Sequence, residues 1–187
     1  MNPLEITVRT FADDRGWFRE TWSRRAAADL GIDADFCQDN HSCSRRAGTI
    51  RGLHFQKPPF AQAKLVRCLK GSVFDVAVDI RTGSPTFGKW TWCVLSAELG
   101  NQYFVPAGFA HGFMTLEDDC EVAYKVDSDY APQADSGVIW NDPAISIDWP
   151  SDHMPPVLSE KDDKLPTLLE CAGIFEFDTI TMVPLPI

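Results

Sequence analysis

The chain has 187 residues, 44% of them hydrophobic and 24% charged, enough apolar material for a globular core and incompatible with fibrous, collagen-like or fully disordered classes. Its formal charge of −10 argues against a general nucleic-acid binder, which needs a basic footprint. The charge is unevenly laid out: residues 41–81 carry 8 basic and 2 acidic side chains, whereas residues 115–187 carry 3 and 16. An anion site is therefore expected in the central basic stretch.

In chain order, the N-terminus lacks the basic patch and apolar run of a secretory signal. Ser23–Leu30 is Ala-rich, begins at a potential cap and stops at Gly31, which predicts a helix. β-branched and aromatic runs at Ala63–Leu69, Lys89–Leu95, Gln102–Val105, Phe113–Leu116 and Glu121–Val126 predict strands separated by short turns. Within Ser72–Ile80, Phe74, Val76, Val78 and Ile80 alternate with Asp75 and Asp79, a two-residue period with one apolar face. Ser159-Glu160-Lys161-Asp162 reads as the cap of a second helix leading into Leu165, Leu168 and Leu169. The segment 174–187 is apolar and β-prone at Phe175–Phe177 and Thr179–Val183, and is expected to add a strand or to pack on a partner.

No stretch approaches the roughly 18 apolar residues needed to span a membrane. The six cysteines form no Cys-x-x-Cys pair, which fits reduced thiols and a cytoplasmic protein. Closely spaced strands favour a sandwich or barrel over an alternating βαβ sheet.

Dinucleotide, P-loop and Gly-x-Ser-x-Gly signatures are absent, so the informative residues are histidines and their neighbours. Pro106-Ala107-Gly108-Phe109-Ala110-His111 resembles the second signature of the cupin superfamily. That resemblance implies an all-β fold, a jelly-roll (cupin-like) β-barrel with a few short peripheral helices. We take it as one domain over residues 1–187 with an atypical tail at 174–187. A metal-binding cupin supplies several converging ligands, but the first-signature stretch here offers a single His54, with Lys64 further on, and a cation beside Lys64 would be repelled. No metal is expected.

Without a metal, the same residues read as acid–base machinery. His54, Gln56 and Lys64 are expected to share the barrel lumen, with His54 as a base suited to neutral pH and Lys64 stabilising a developing oxyanion. Arg15, Arg51 and Arg67 offer fixed charge for phosphate. The candidate proton donors are Tyr103, Tyr124 and Tyr130. The implied reaction is proton abstraction beside a carbonyl, then reprotonation.

Asp13–Glu20, Gln38–Ser42, Arg51–Gln56, Ala61–Arg67, Phe74–Arg81, Val105–Phe113 and Leu158–Asp162 together resemble, in order, the dTDP-4-dehydrorhamnose 3,5-epimerase family. The resemblance implies a homodimer acting on a dTDP-4-keto-6-deoxyhexose at C3 and C5 without a cofactor. By motif, His54 would be the base, Asp162 its partner, Tyr124 the acid on the opposite face of the sugar, and Lys64 the stabiliser of the enolate. Arg15, Phe18, Glu20, Gln38, Asn40, Arg51, His111 and Tyr130 would contact the nucleotide, pyrophosphate or sugar.

Plainer readings stand beside these. Asp162 would equally complete a capping box with Ser159; Tyr124 and Tyr130 also suit ordinary strand positions; His111 would serve as a hydrogen-bonded barrel histidine. Asp75 and Asp79 are expected in a polar network or at the surface, and His41 and His153 as structural or surface residues. Lys64 and Arg67 have opposite strand parity, so they cannot share a face. Three competing functions remain: a mono-epimerase, a metal-dependent cupin oxygenase using His54 and His111, and a non-catalytic sugar-nucleotide-binding barrel.

Overall fold

The computed structural model describes residues 1–151 and 155–177. His153 and the β-prone run Thr179–Val183 lie outside the described residues. Two five-stranded antiparallel sheets face one another. The first runs in the order β1 (Leu4–Ile6), β10 (Gln102–Val105), β6 (Lys64–Lys70), β12 (Cys120–Val126) and β4 (Gln38–Ser44). The second runs β13 (Asp135–Gly137), β5 (Ile50–Gln56), β11 (Phe109–Thr115), β7 (Ser72–Asp79) and β9 (Trp90–Ser96). A hairpin of β2 (Thr10–Asp13) and β3 (Gly16–Arg19) stands apart, and β14 (Phe175–Glu176) pairs in parallel with β8 (Arg81–Thr82). The expected all-β, jelly-roll-like fold is what forms.

Three apolar layers hold the sheets. Val66, Cys68 and Val122 from one sheet meet Val73, Ala77 and Phe113 from the other in the space between them. Outside the first sheet, helix α1 (Arg24–Asp29) packs Ala27 against Leu65 and Phe104; Ser23 caps it, its side chain accepting from the Ala26 amide at 3.4 Å. Outside the second sheet, the segment after β13 lays Val138, Ile145, Trp149 and Leu168 over Phe74, Val76, Val78 and Ile80. Each such side chain removed from water is worth roughly 1.5–3 kcal/mol. The apolar face of β7 is thus its outer one, and Asp75 and Asp79 point inward. Both are buried, so the surface alternative for them is wrong and the network alternative is right.

Other expectations need correcting. The second helix is two separate 3-10 turns, Asp162–Lys164 and Leu169–Cys171, because Pro166 between them cannot donate a backbone bond. The strand expected at Phe113–Leu116 starts earlier, at Phe109. β4, with the polar sequence Gln-Asp-Asn-His-Ser-Cys-Ser, carries no apolar alternation and is held by its ladder to β12. One glycine is dictated by packing: at Gly52 φ is +132°, and a Cβ there would sit 2.6 Å from the Gly112 Cα. That close approach seats β5 against β11 and sets His54 directly across from His111.

Candidate active site

Strand parity places the chemistry. On β5, Leu53 and Phe55 point into the outer apolar layer, so His54 and Gln56 face the lumen. On β6, Lys64 shares the parity of Val66 and Cys68 and faces inward too. Arg67 has the other parity and lines a small hollow with Leu65, Gln102 and Lys125 on the far side of the sheet; the structure does not bring it to the site. On β12, Tyr124 follows the inward Val122 and looks across the lumen at β5.

These side chains meet at two adjoining cavities of about 470 and 330 Å³, whose linings share His54, Lys64, Tyr124 and Lys161. His54 Nε2 is 2.7 Å from Asp162 Oδ1, and the Gly52 amide donates to Asp162 Oδ2 at 3.3 Å. With Nε2–H given to the carboxylate, Nδ1 carries the basic lone pair of the ring. Asp162 is only 4% exposed. Burial pushes its carboxyl up, but the hydrogen bond and charge of His54, the Gly52 amide and Lys161 outweigh that and hold it below the usual carboxylate value. Ser159 does cap the turn, its Oγ accepting from the Asp162 amide at 3.1 Å. The carboxylate turns to His54 instead of closing a capping box.

Lys64 is 8% exposed and donates to the His54 carbonyl at 3.1 Å. Burial lowers its ammonium to about 8, with Asp75 and Asp135 opposing the drop. The Tyr124 phenol is pushed up by burial, partly offset by Arg51, so it stays protonated at neutral pH with a proton available to give. Tyr103 is removed from consideration: it is 3% exposed in the core and its hydroxyl pairs with Thr91 at 2.6 Å.

Arg51 and His111 line the larger cavity. Arg51 is steadied by donating to Ser44 Oγ and the Cys43 carbonyl, both at 3.0 Å. Gln38, Asn40 and Tyr130 line the smaller cavity, and Gln38 Oε1 accepts from the Tyr130 amide at 3.0 Å. Gln56 also lines it but is spent on anchoring a loop, donating to the Phe60 and Asp129 carbonyls and accepting from the Ala131 amide. His41 lies outside the lumen, 3.0 Å from Glu121.

Three expected contacts do not gather here. Arg15, Phe18 and Glu20 line neither cavity. Arg15 pairs with Asp13 at 2.6 Å on the peripheral hairpin, and Phe18 is 66% exposed. Conversely, Lys161 and Asp135 were not singled out, yet they border the site, joined at 2.5 Å, with the Tyr130 hydroxyl donating to Asp135 at 3.1 Å. Lys161 stands inside the Leu158–Asp162 motif, which was a signal; isolated Asp135 carried none.

His54 and His111 are cross-strand neighbours, as a two-histidine metal site would have them, but each commits Nε2 to its own carboxylate. Among the described residues no three His, Cys, Asp or Glu side chains converge. What the site offers instead is a carboxylate-held imidazole, a buried ammonium and a protonated phenol around one void.

The chain as a whole has counterparts among known proteins. The sequence profile described as dTDP-4-dehydrorhamnose 3,5-epimerase matches residues 2–170. The chain belongs to the dTDP-4-dehydrorhamnose 3,5-epimerase family. A family member from Sinorhizobium fredii is 53% identical over 176 residues, 92% of this chain and 88% of that one. The crystal structure of the epimerase from Bacillus anthracis with TDP and PPi bound has a TM-score of 0.85 at 48% identity, covering 88% of this chain and 93% of that chain. The epimerase from Legionella pneumophila, in complex with dTDP-4-keto-L-rhamnose, has a TM-score of 0.87 at 40% identity and covers 94% of each chain.

Proposed function

We infer that this protein is a dTDP-4-dehydrorhamnose 3,5-epimerase that inverts C3 and C5 of dTDP-4-dehydro-6-deoxy-D-glucose, and that His54, Lys64, Tyr124 and Asp162 carry out the chemistry. The observation that carries the reading is the His54–Asp162 pair at 2.7 Å on one sheet side of a cavity bordered on the other by Lys64 and Tyr124. Protons on C3 and C5 are acidic because both carbons flank the C4 ketone. His54 Nδ1 takes the proton, and Asp162 stabilises the imidazolium that forms. Lys64 donates to the C4 oxygen as it becomes an enolate. Tyr124 returns a proton from the opposite face, which inverts the centre. Each inversion leaves His54 as an imidazolium and Tyr124 as a phenolate, and proton exchange with water restores both before the next carbon reacts.

Arg51, His111, Gln38, Asn40 and Tyr130 line the cavities where the rest of the nucleotide sugar would extend, and Lys161 adds a second cation beside Arg51. Arg15, Phe18 and Glu20 fit a homodimer, in which the hairpin of one copy reaches the other copy's site. Its exposed Phe11, Trp17 and Phe18 are the aromatic surface such a contact would cover. The family match over most of the chain supports a single epimerase domain, and six unpaired cysteines suit a reducing compartment such as the cytoplasm.

The test is incubation with that substrate in D2O, followed by NMR. Deuterium at both carbons is expected, and His54→Ala is expected to abolish it. Label at one carbon alone would make the protein a mono-epimerase; binding of dTDP without exchange would make it a binding barrel.

A further inference from the structure

One buried ionisable side chain has no task in this chemistry. Asp75 on β7 is 0% exposed; its Oδ1 lies 2.7 Å from His111 Nε2, and among the described residues its Oδ2 has no hydrogen-bond partner. An unpaired buried carboxylate oxygen is rare in a native interior and calls for a reason. Lys64 shows the complementary oddity. Its ammonium is buried and gives one hydrogen bond, to a carbonyl. Among the described residues it makes no salt bridge, although buried charges are ordinarily paired. Asp162 is committed to His54 and Asp135 to Lys161. Asp75, facing the same lumen from the opposing sheet, is the carboxylate with capacity to spare.

We propose that Asp75 is a positioning residue for the epimerisation: clamped by His111 at a standoff from Lys64, it serves as the counter-ion of the ammonium without occupying its N–H donors. The proposal rests on the reading of the reaction given above. An ammonium has three donors, and here one goes to the His54 carbonyl. A carboxylate in contact would take another and compete with the C4 oxygen. A carboxylate held back still favours the charged form, since Coulomb attraction in a dry interior falls only as the inverse of distance. His111 is what keeps it back: burial pushes this imidazole down, leaving it neutral with Nε2–H pointed at Asp75.

The groups that bear on Lys64 come from every wall. His54 on β5, His111 on β11, Tyr124 on β12 and Asp135 on β13 share its cavities, as do Arg51, Lys161 and Asp162, and Asp75 on β7 acts from behind His111. Of the carboxylates, Asp75 contributes most to keeping Lys64 protonated, ahead of Asp135. Burial pushes Asp75 itself up, and His111 and Lys64 oppose the rise. Deleting the Asp75 charge therefore lowers Lys64 further.

The experiment measures kcat/KM for deuterium incorporation against pH in wild type, Asp75→Asn and Asp75→Glu. The wild-type alkaline limb is expected near Lys64's value of about 8. Asp75→Asn should bring it down by about one pH unit, while Asp75→Glu, which keeps the charge, holds it. Alongside, Lys64 is titrated directly by NMR of lysine-labelled protein, with Lys64→Arg for assignment; Asp75→Ser replaces the Asn variant if circular dichroism shows that one unfolded. Coincident limbs and coincident Lys64 titrations in wild type and the charge-free variant would overturn the proposal. Absence of exchange in the wild type would instead overturn the functional reading, and the Lys64 titration then decides the role of Asp75 by itself.

Discussion

A histidine works as a base at neutral pH when its ring is held in one tautomer and its protonated form is stabilised. His54 gets both from a single buried carboxylate. Asp162→Asn keeps the shape but loses the charge that stabilises the imidazolium, and its expected effect is a fall in kcat on the order of 10²-fold or more with KM nearly unchanged, read from the rate of solvent deuterium uptake. Asp162 also bears on stability. Its folded-state carboxyl is held low, so the pair's contribution is present above the unfolded value and is lost as pH falls through the folded one. At this scale His54, Lys64, Tyr124 and Asp162 were legible, because each stands in a recognisable run. Asp75, Asp135 and Lys161 were not assigned roles. Their significance lies in what they touch across strands, and a charged residue in a strand pattern reads equally well as solvated.

Elements were legible where local chemistry decides them. The helix after Ser23 and the alternation in β7 form as expected, whereas β4 does not announce itself: its seven residues are polar, and pairing to β12 makes the strand. The period of β7 was readable but its sidedness was not, since either face can be the core until the covering segment is known. The end of β7 shows how the inward polar face is satisfied. Asp79, 1% exposed, accepts from the Arg81 backbone and guanidinium, Ser84 and Thr86 at 2.6–3.0 Å. Burial pushes this carboxyl up, yet those donors prevail and bring it from 3.8 down to about 2. Asp79→Asn is expected to cost about 2 kcal/mol at neutral pH. Because the folded value is the lower one, the difference between wild type and variant persists above the unfolded value and shrinks as acid takes the protein toward the folded one, which denaturant titrations at neutral and acid pH would reveal.

For the whole molecule, the net charge of −10 proved compatible with an anionic substrate because Arg51 and Lys64 from the basic stretch face inward, joined by Lys161 from the acidic half. The misplaced hairpin leads to a mixing experiment. Chains carrying Arg15→Ala with Phe18→Ala and chains carrying His54→Ala should each be nearly inactive at low substrate. If the hairpin serves the partner's site, exchanging subunits at equal amounts restores about a quarter of wild-type sites, since half the dimers are mixed and each of those has one intact site. If each hairpin served its own chain, mixing would restore nothing.

The outer layer over the second sheet has a consequence for how activity and folding are tied. The same covering segment that shields Phe74, Val76 and Val78 also delivers Asp162 to His54. A chain whose barrel had formed but whose cover was still loose would hold its imidazole without the carboxylate that orients it. Catalytic competence therefore requires the cover to be in place, and turnover itself reports that the wrapping is complete.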